Sequence, residues 1–178
     1  MTVKKKQEIE LDVTGIAFGG RGIAKIDGYT VFVDQSVPGD RVLARIVKKK
    51  KSYAEARTLQ VLEASDDRVE PPCRYAGWCG GCKWQFLQYG RQLEYKRRHV
   101  SEAVEHIGQL SGVPVHPVLP ADKIFGYRNK MEFSCSDRRW LLPEELGRTD
   151  IPKDFALGLH VPGTFDKILD IDACLLQP

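Results

Sequence analysis

Apolar and polar residues alternate at the start of the chain, with Ile9, Leu11 and Val13 set against Glu8, Glu10 and Asp12. A period of two predicts a strand with one buried face. Residues 15–22 are too rich in glycine for a helix. Two apolar runs, 23–26 and 29–33, flank Asp27-Gly28. That dipeptide signals a hairpin, because a type I′ turn needs positive φ at both central residues. Pro38-Gly39 supplies the next turn, with proline fixing φ and glycine taking the left-handed position. Two more strands, 41–47 and 53–62, are joined across the lysine run 48–51. Five short strands with tight turns and no helix predict a closed or partly open OB-like β-barrel over residues 1–63.

The period changes further along. Tyr89, Leu93, Val100, Val104 and Ile107 recur at helical spacing, which predicts a long helix over 87–107 with an apolar stripe facing the core. Gly108 suits the position after its end. Arg91, Lys96, Arg97 and Arg98 lie mostly off the stripe, either solvated or touching phosphate. Residues 114–120 carry prolines at both ends and read as a linker. The phrases FGYRNKMEFSC and FALGLHVPGTFDKILDIDAC then read as turns and strands. Residues 64–178 are thus a cysteine-bearing loop, one helix and a small α+β domain, and the whole is mainly β with α.

Composition narrows the class. A chain of 178 residues, 42% hydrophobic and 29% charged, is globular rather than disordered or fibrous. It has no apolar run long enough to span a membrane and no apolar segment near Met1, so the expectation is a cytoplasmic protein without a membrane partner. Net charge is only +3, but residues 1–62 hold twelve Lys or Arg against seven Asp or Glu. Residues 144–172 hold seven acids against three bases. The basic half is a candidate polyanion surface, although lysine runs also serve as solvated loops. Small barrels grip single strands with a basic groove and aromatic platforms. The candidates here are Arg21, Lys25, Lys48, Lys49, Lys50, Lys51 and Tyr53. Phe32 reads as core or hairpin packing.

Cys73, Cys79 and Cys82 stand in a C-x5-C-x2-C pattern with Gly77, Gly80 and Gly81 between them. Reduced compartments make disulfides rare, so such a cluster suggests metal ligation. Thiolates favour zinc or iron–sulfur clusters, and glycine leaves amide N–H groups free to point at sulfur. A closed site needs a fourth ligand, either Cys135 or Cys174. The spacing suits an iron–sulfur cluster better than zinc.

The stretch GIAFGGRGIAKIDGYTVFVDQSVPGDRVLARIVKKKKSYAEA resembles a TRAM domain, a small RNA-binding barrel. Followed by CRYAGWCGGCKWQ and, far downstream, by LDIDACLLQ, it resembles the front part of the RNA uracil-5-methyltransferases that carry a cluster. That resemblance implies a [4Fe-4S] cluster on Cys73, Cys79, Cys82 and Cys174, with Cys135 left as a buried strand residue. It also brings Arg128 and Lys130 near RNA. It implies structured RNA (rRNA or tRNA) as partner, and not DNA.

Members of that family continue into a Rossmann-like domain for S-adenosylmethionine, with a nucleophilic cysteine and a carboxylate base. No such domain is expected within these 178 residues, so no catalytic residue is assigned and the chain alone is expected to be inactive. The alternative is a stand-alone, metal-stabilised RNA-binding module.

Overall fold

The computed structural model describes residues 3–178. They form two compact units: Met1–Glu70 with Lys83–Pro120, and Pro71–Cys82 with Ala121–Pro178.

The first unit holds a six-stranded sheet of β1 (Glu8–Asp12), β2 (Gly15–Ile16), β3 (Gly22–Ile26), β4 (Tyr29–Asp34), β5 (Arg41–Lys49) and β6 (Tyr53–Glu63). Its order is β1-β5-β6-β4-β3-β2. The β4–β6 ladder is parallel and the others are antiparallel. The glycine-rich stretch adds β2, a short strand beyond the five expected. Leu11 and Val13 from one end of the sheet share a buried cluster with Ala24, Val31, Val33, Val42, Ala44, Ile46, Ala54 and Ala56. The sheet is therefore curled around one interior. Among the described residues no ladder joins β1 to β2, so the curl is not closed by strand pairing.

The turns follow their chemistry. Asp27 and Gly28 have φ of 48° and 82°, the signs a type I′ turn requires. Gly39 has φ of 93° beside the buried Asp40. The Asp40 carboxylate accepts from Val37 N at 2.7 Å and Ser65 N at 3.0 Å, and from Arg68 Nη2 at 2.8 Å. One carboxylate thus fixes the Pro38-Gly39 turn and the chain leaving β6.

Helix α1 (Tyr89–Glu102) continues into one π-helical turn, Ala103–Ile107. It contacts the sheet side through a different face from the one its apolar stripe predicts. Arg91 Nε donates to Asp67 at 2.8 Å, Tyr95 packs on Ile16, Val37 and Leu87, and His99 Nε2 donates to Ile16 O at 2.9 Å. Val100 is 52% exposed and Ile107 is 84% exposed, and no residue of α1 is buried. The amphipathic side chains reach the sheet and bond to it, and the aliphatic stripe stays outside. The left-handed residue after the helix is Gln109 at φ 54°, while Gly108 stays helical at −72°. Glycine is needed at 108 for space, since a Cβ there would lie 2.7 Å from Val104 O.

The second unit holds a four-stranded sheet, order β7-β9-β10-β8, of β7 (Ser134–Ser136), β8 (Arg139–Trp140), β9 (Ala156–His160) and β10 (Ile168–Asp170). Tyr75, Leu142 and Leu169 are its buried centre, with Cys73, Cys79, Trp78 and Trp140 packed around them. Arg139 bridges Glu145 at 2.5 Å and Asp170 at 3.0 Å. Cys135 lies in β7 but is exposed, opposite the exposed Leu157, which corrects the expectation that it is buried. The pleat turns Cys135 to the side that carries Leu157, and its neighbours Ser134 and Ser136 to the other.

Candidate nucleic-acid interface and thiol cluster

In the first unit, alternation sends Val31, Val33, Ala54 and Ala56 inward and Phe32, Tyr53 and Glu55 to the opposite face. Pairing then sets Lys25 beside Thr30 and Thr30 beside Tyr53, with Ile23, Phe32 and Glu55 in the next row. Phe32 and Tyr53 meet edge to face, 5.5 Å between ring centroids. Of the two packings expected for Phe32, core and hairpin, the residue takes the second: it pairs with Ile23 across the β3–β4 hairpin and is not core. The signal was available: a residue between two buried valines must point the other way.

Charges on this face are partly paired already. Arg21 bridges Asp34 at 3.1 Å and Glu55 at 3.4 Å, and Lys48 bridges Glu55 at 3.0 Å. Burial raises the Asp34 carboxyl pKa, with Arg21 opposing it. The Lys48 hydrogen bond is the main cause that lowers the Glu55 pKa. Lys25, Lys49, Lys50 and Lys51 are exposed. The lysine turn is pinned by backbone: Tyr29 Oη donates to Lys50 O at 2.8 Å, and Lys50 N donates to Tyr53 O at 2.8 Å. Such a turn presents Lys49, Lys50 and Lys51 to solvent, while Lys48 is tied to Glu55.

In the second unit, Arg128 and Lys130 are exposed. Arg128 Nε donates to Lys130 O at 3.1 Å, and Lys130 bridges Glu132 at 2.9 Å. The backbone beneath them is zipped to the tail, with Gly126 N donating to Leu175 O at 2.9 Å and Arg128 N to Leu176 O at 2.8 Å.

The same unit gathers the four cysteine thiols 73, 79, 82 and 174. Each of Cys73 and Cys79 has its pKa raised, by burial first; Cys82 and Cys174 raise both further, and Cys73 also raises that of Cys79. Backbone N–H groups work the other way: Tyr75 and Ala76 donate to the Cys73 sulfur, and Gly81 N donates to Cys79 Sγ at 3.3 Å. Gly80 is required where it stands, since a Cβ would come within 2.9 Å of His160 O. Tyr75 ties the loop to the tail, its hydroxyl donating to Asp172 Oδ1 at 2.6 Å. Among the described residues no group of three or more His, Cys, Asp or Glu stands in an arrangement that holds a metal ion. No helix among them is long and apolar enough to cross a membrane.

Comparison with known proteins bears on both features. Residues 3–59 match the TRAM domain. Over 177 residues the chain is 48% identical to an uncharacterized RNA methyltransferase of Chlorobaculum tepidum, covering 97% of this chain and 37% of that protein. A second such protein, from Bacteroides thetaiotaomicron, is 43% identical over 164 residues, covering 91% of this chain and 36% of its own length. Among solved structures, the tRNA (uracil-54, C5)-methyltransferase of Pyrococcus abyssi, in complex with S-adenosyl-L-homocysteine, superposes over 94% of this chain and 32% of its own, with TM-score 0.53 and 25% identity. The chain spans little more than a third of the relatives it matches. Residues 3–59 are a TRAM domain, and nearly the whole chain is similar to a TRAM-bearing portion of proteins named RNA methyltransferases.

Proposed function

We propose that this chain is the RNA-recognising, [4Fe-4S]-carrying portion of an S-adenosylmethionine-dependent RNA (uracil-5-)-methyltransferase acting on structured ribosomal or transfer RNA. The observation that carries this is the match of nearly the whole chain to a tRNA uracil methyltransferase. The curled sheet is read as an OB-like barrel, and its outer face joins aromatic rings to exposed lysines, the combination that single strands favour. Methyl transfer is assigned to the part of the relatives that this chain does not match, and no residue here is given a catalytic role.

For the cluster, the donor chemistry fits. Burial and neighbouring thiols raise the pKa of Cys73 and Cys79, so a cation at the thiols would favour their ionised form. When bound, the cluster supplies iron–thiolate ties between the loop and the tail.

The RNA reading is tested by titrating the whole chain with a transfer RNA transcript at several salt concentrations. Affinity should fall steeply with salt, and a flat dependence overturns the reading. Anaerobic purification followed by iron, sulfide and zinc analysis tests the metal. A zinc-replete, iron-free protein overturns the cluster.

A further inference from the structure

The connection between β9 and β10 displays Phe165, and its side chain is 90% exposed. A phenyl so placed adds little to folding, because the hydrophobic contribution scales with area removed from water. It is nevertheless held. The turn beneath it closes through Val161 N donating to Lys167 O at 2.9 Å and Thr164 N to Val161 O at 3.1 Å. The Thr164 hydroxyl adds a bond to Val161 O at 2.9 Å. The phenyl lies offset beside the His160 imidazole, centroids 5.8 Å apart and planes within 23° of parallel. His160 is itself anchored, since Nε2 shares a hydrogen bond with Ser134 Oγ at 2.9 Å. The result is two near-parallel, offset rings on a hydrogen-bonded hairpin, with the phenyl almost wholly open to water.

We infer that Phe165 is a stacking platform for an unpaired nucleobase. This rests on the RNA reading above. Every base has a π face, so an aromatic ring already ordered and half stacked takes one at little entropic cost. The turn offers no row of cations for a phosphate, with Asp166 beside Lys167. The ligand chemistry is therefore the flat base rather than the backbone anion. A partner protein's apolar surface would use the ring's area alone and would accept an aliphatic side chain of similar size.

The experiment is RNA binding by the whole chain and by Phe165→Leu and Phe165→Trp. The probe is a short single-stranded RNA bearing one 2-aminopurine, whose fluorescence is quenched on stacking. Phe165→Leu should bind about five- to a hundredfold more weakly, with lost quenching. It should keep the parent's salt slope, because no phosphate contact is removed. Phe165→Trp should restore both affinity and quenching. Unchanged affinity in Phe165→Leu, with the parent binding normally, overturns the platform and leaves the RNA reading standing. Absence of salt-dependent binding by the parent overturns the RNA reading itself.

Discussion

Tyr75 and Asp172 hold each other across the second unit: the phenol donates to Asp172 Oδ1 at 2.6 Å, and Asp172 N donates back to the phenol oxygen at 3.2 Å. This pair joins the loop of three cysteines to the segment that carries the fourth. The hydrogen bond from Tyr75 lowers the Asp172 pKa, while burial and the carboxylate raise that of Tyr75. The carboxylate contributes stability above its unfolded value near 4, lost as pH falls through the lower folded value. The phenol contributes below its unfolded value near 10, lost as pH rises through the higher folded value. Tyr75→Phe should therefore cost about 0.5–1 kcal/mol at neutral pH, the low end because Asp172 is exposed. Urea midpoints of parent and variant should converge in strong acid. An equal gap at all pH values would show that the bond contributes nothing specific.

Asp40 is the other carboxylate with many partners, and it is buried. Asp40→Ala strands Arg68 and leaves the amides of Val37 and Ser65 without their acceptor. A loss of about 3–5 kcal/mol is expected, measured as the change in chemical unfolding of the first unit. A loss below about 1 kcal/mol would mean that water replaces the carboxylate easily.

Trp84 reports on Gly20. A Cβ at Gly20 would fall 2.2 Å from Trp84 Nε1, and its φ is +90°. Gly20→Ala should destabilise by more than about 1 kcal/mol and shift the indole emission as Trp84 moves. Unaltered emission and stability would refute the close approach.

The thiols give separable outcomes. Cys174→Ser and Cys82→Ser should lose iron and unfold the second unit, because metal-binding energy is folding energy. Cys135→Ser should keep full iron content, since its exposed side chain projects from β7 and lies outside the proposed ligand set. Iron lost in Cys135→Ser and kept in Cys174→Ser would reverse the ligand assignment.

How far the chain could be read without coordinates depended on the range of the interaction. Local backbone chemistry was legible: Asp27-Gly28, Pro38-Gly39 and the alternation around Leu11 all act within a few residues. The three clustered cysteines were legible for the same reason. The face of α1 was not. Periodicity finds an apolar stripe, yet what covers a helix is decided by other segments, and here Asp67 and the Ile16 carbonyl select Arg91 and His99 instead. Arg21 stood out as a free cation, because Asp34 and Glu55 reach it only once β4 and β6 are paired. Cys135 looked interior as a cysteine in an extended segment, but in a three-residue strand it faces one side and Ser134 and Ser136 the other, with no sequence signal for which side is covered.

The rail beneath Arg128 runs along Leu175 and Leu176, the two residues that directly follow Cys174. The backbone of Arg128 is thus set by residues 175 and 176, while its guanidinium bonds to Lys130 O. Anything that unhooks Cys174 also withdraws those two carbonyls. On the proposed RNA reading, oxidation of that thiol would weaken whatever contact Arg128 makes, so that injury in one place registers as lost grip in another.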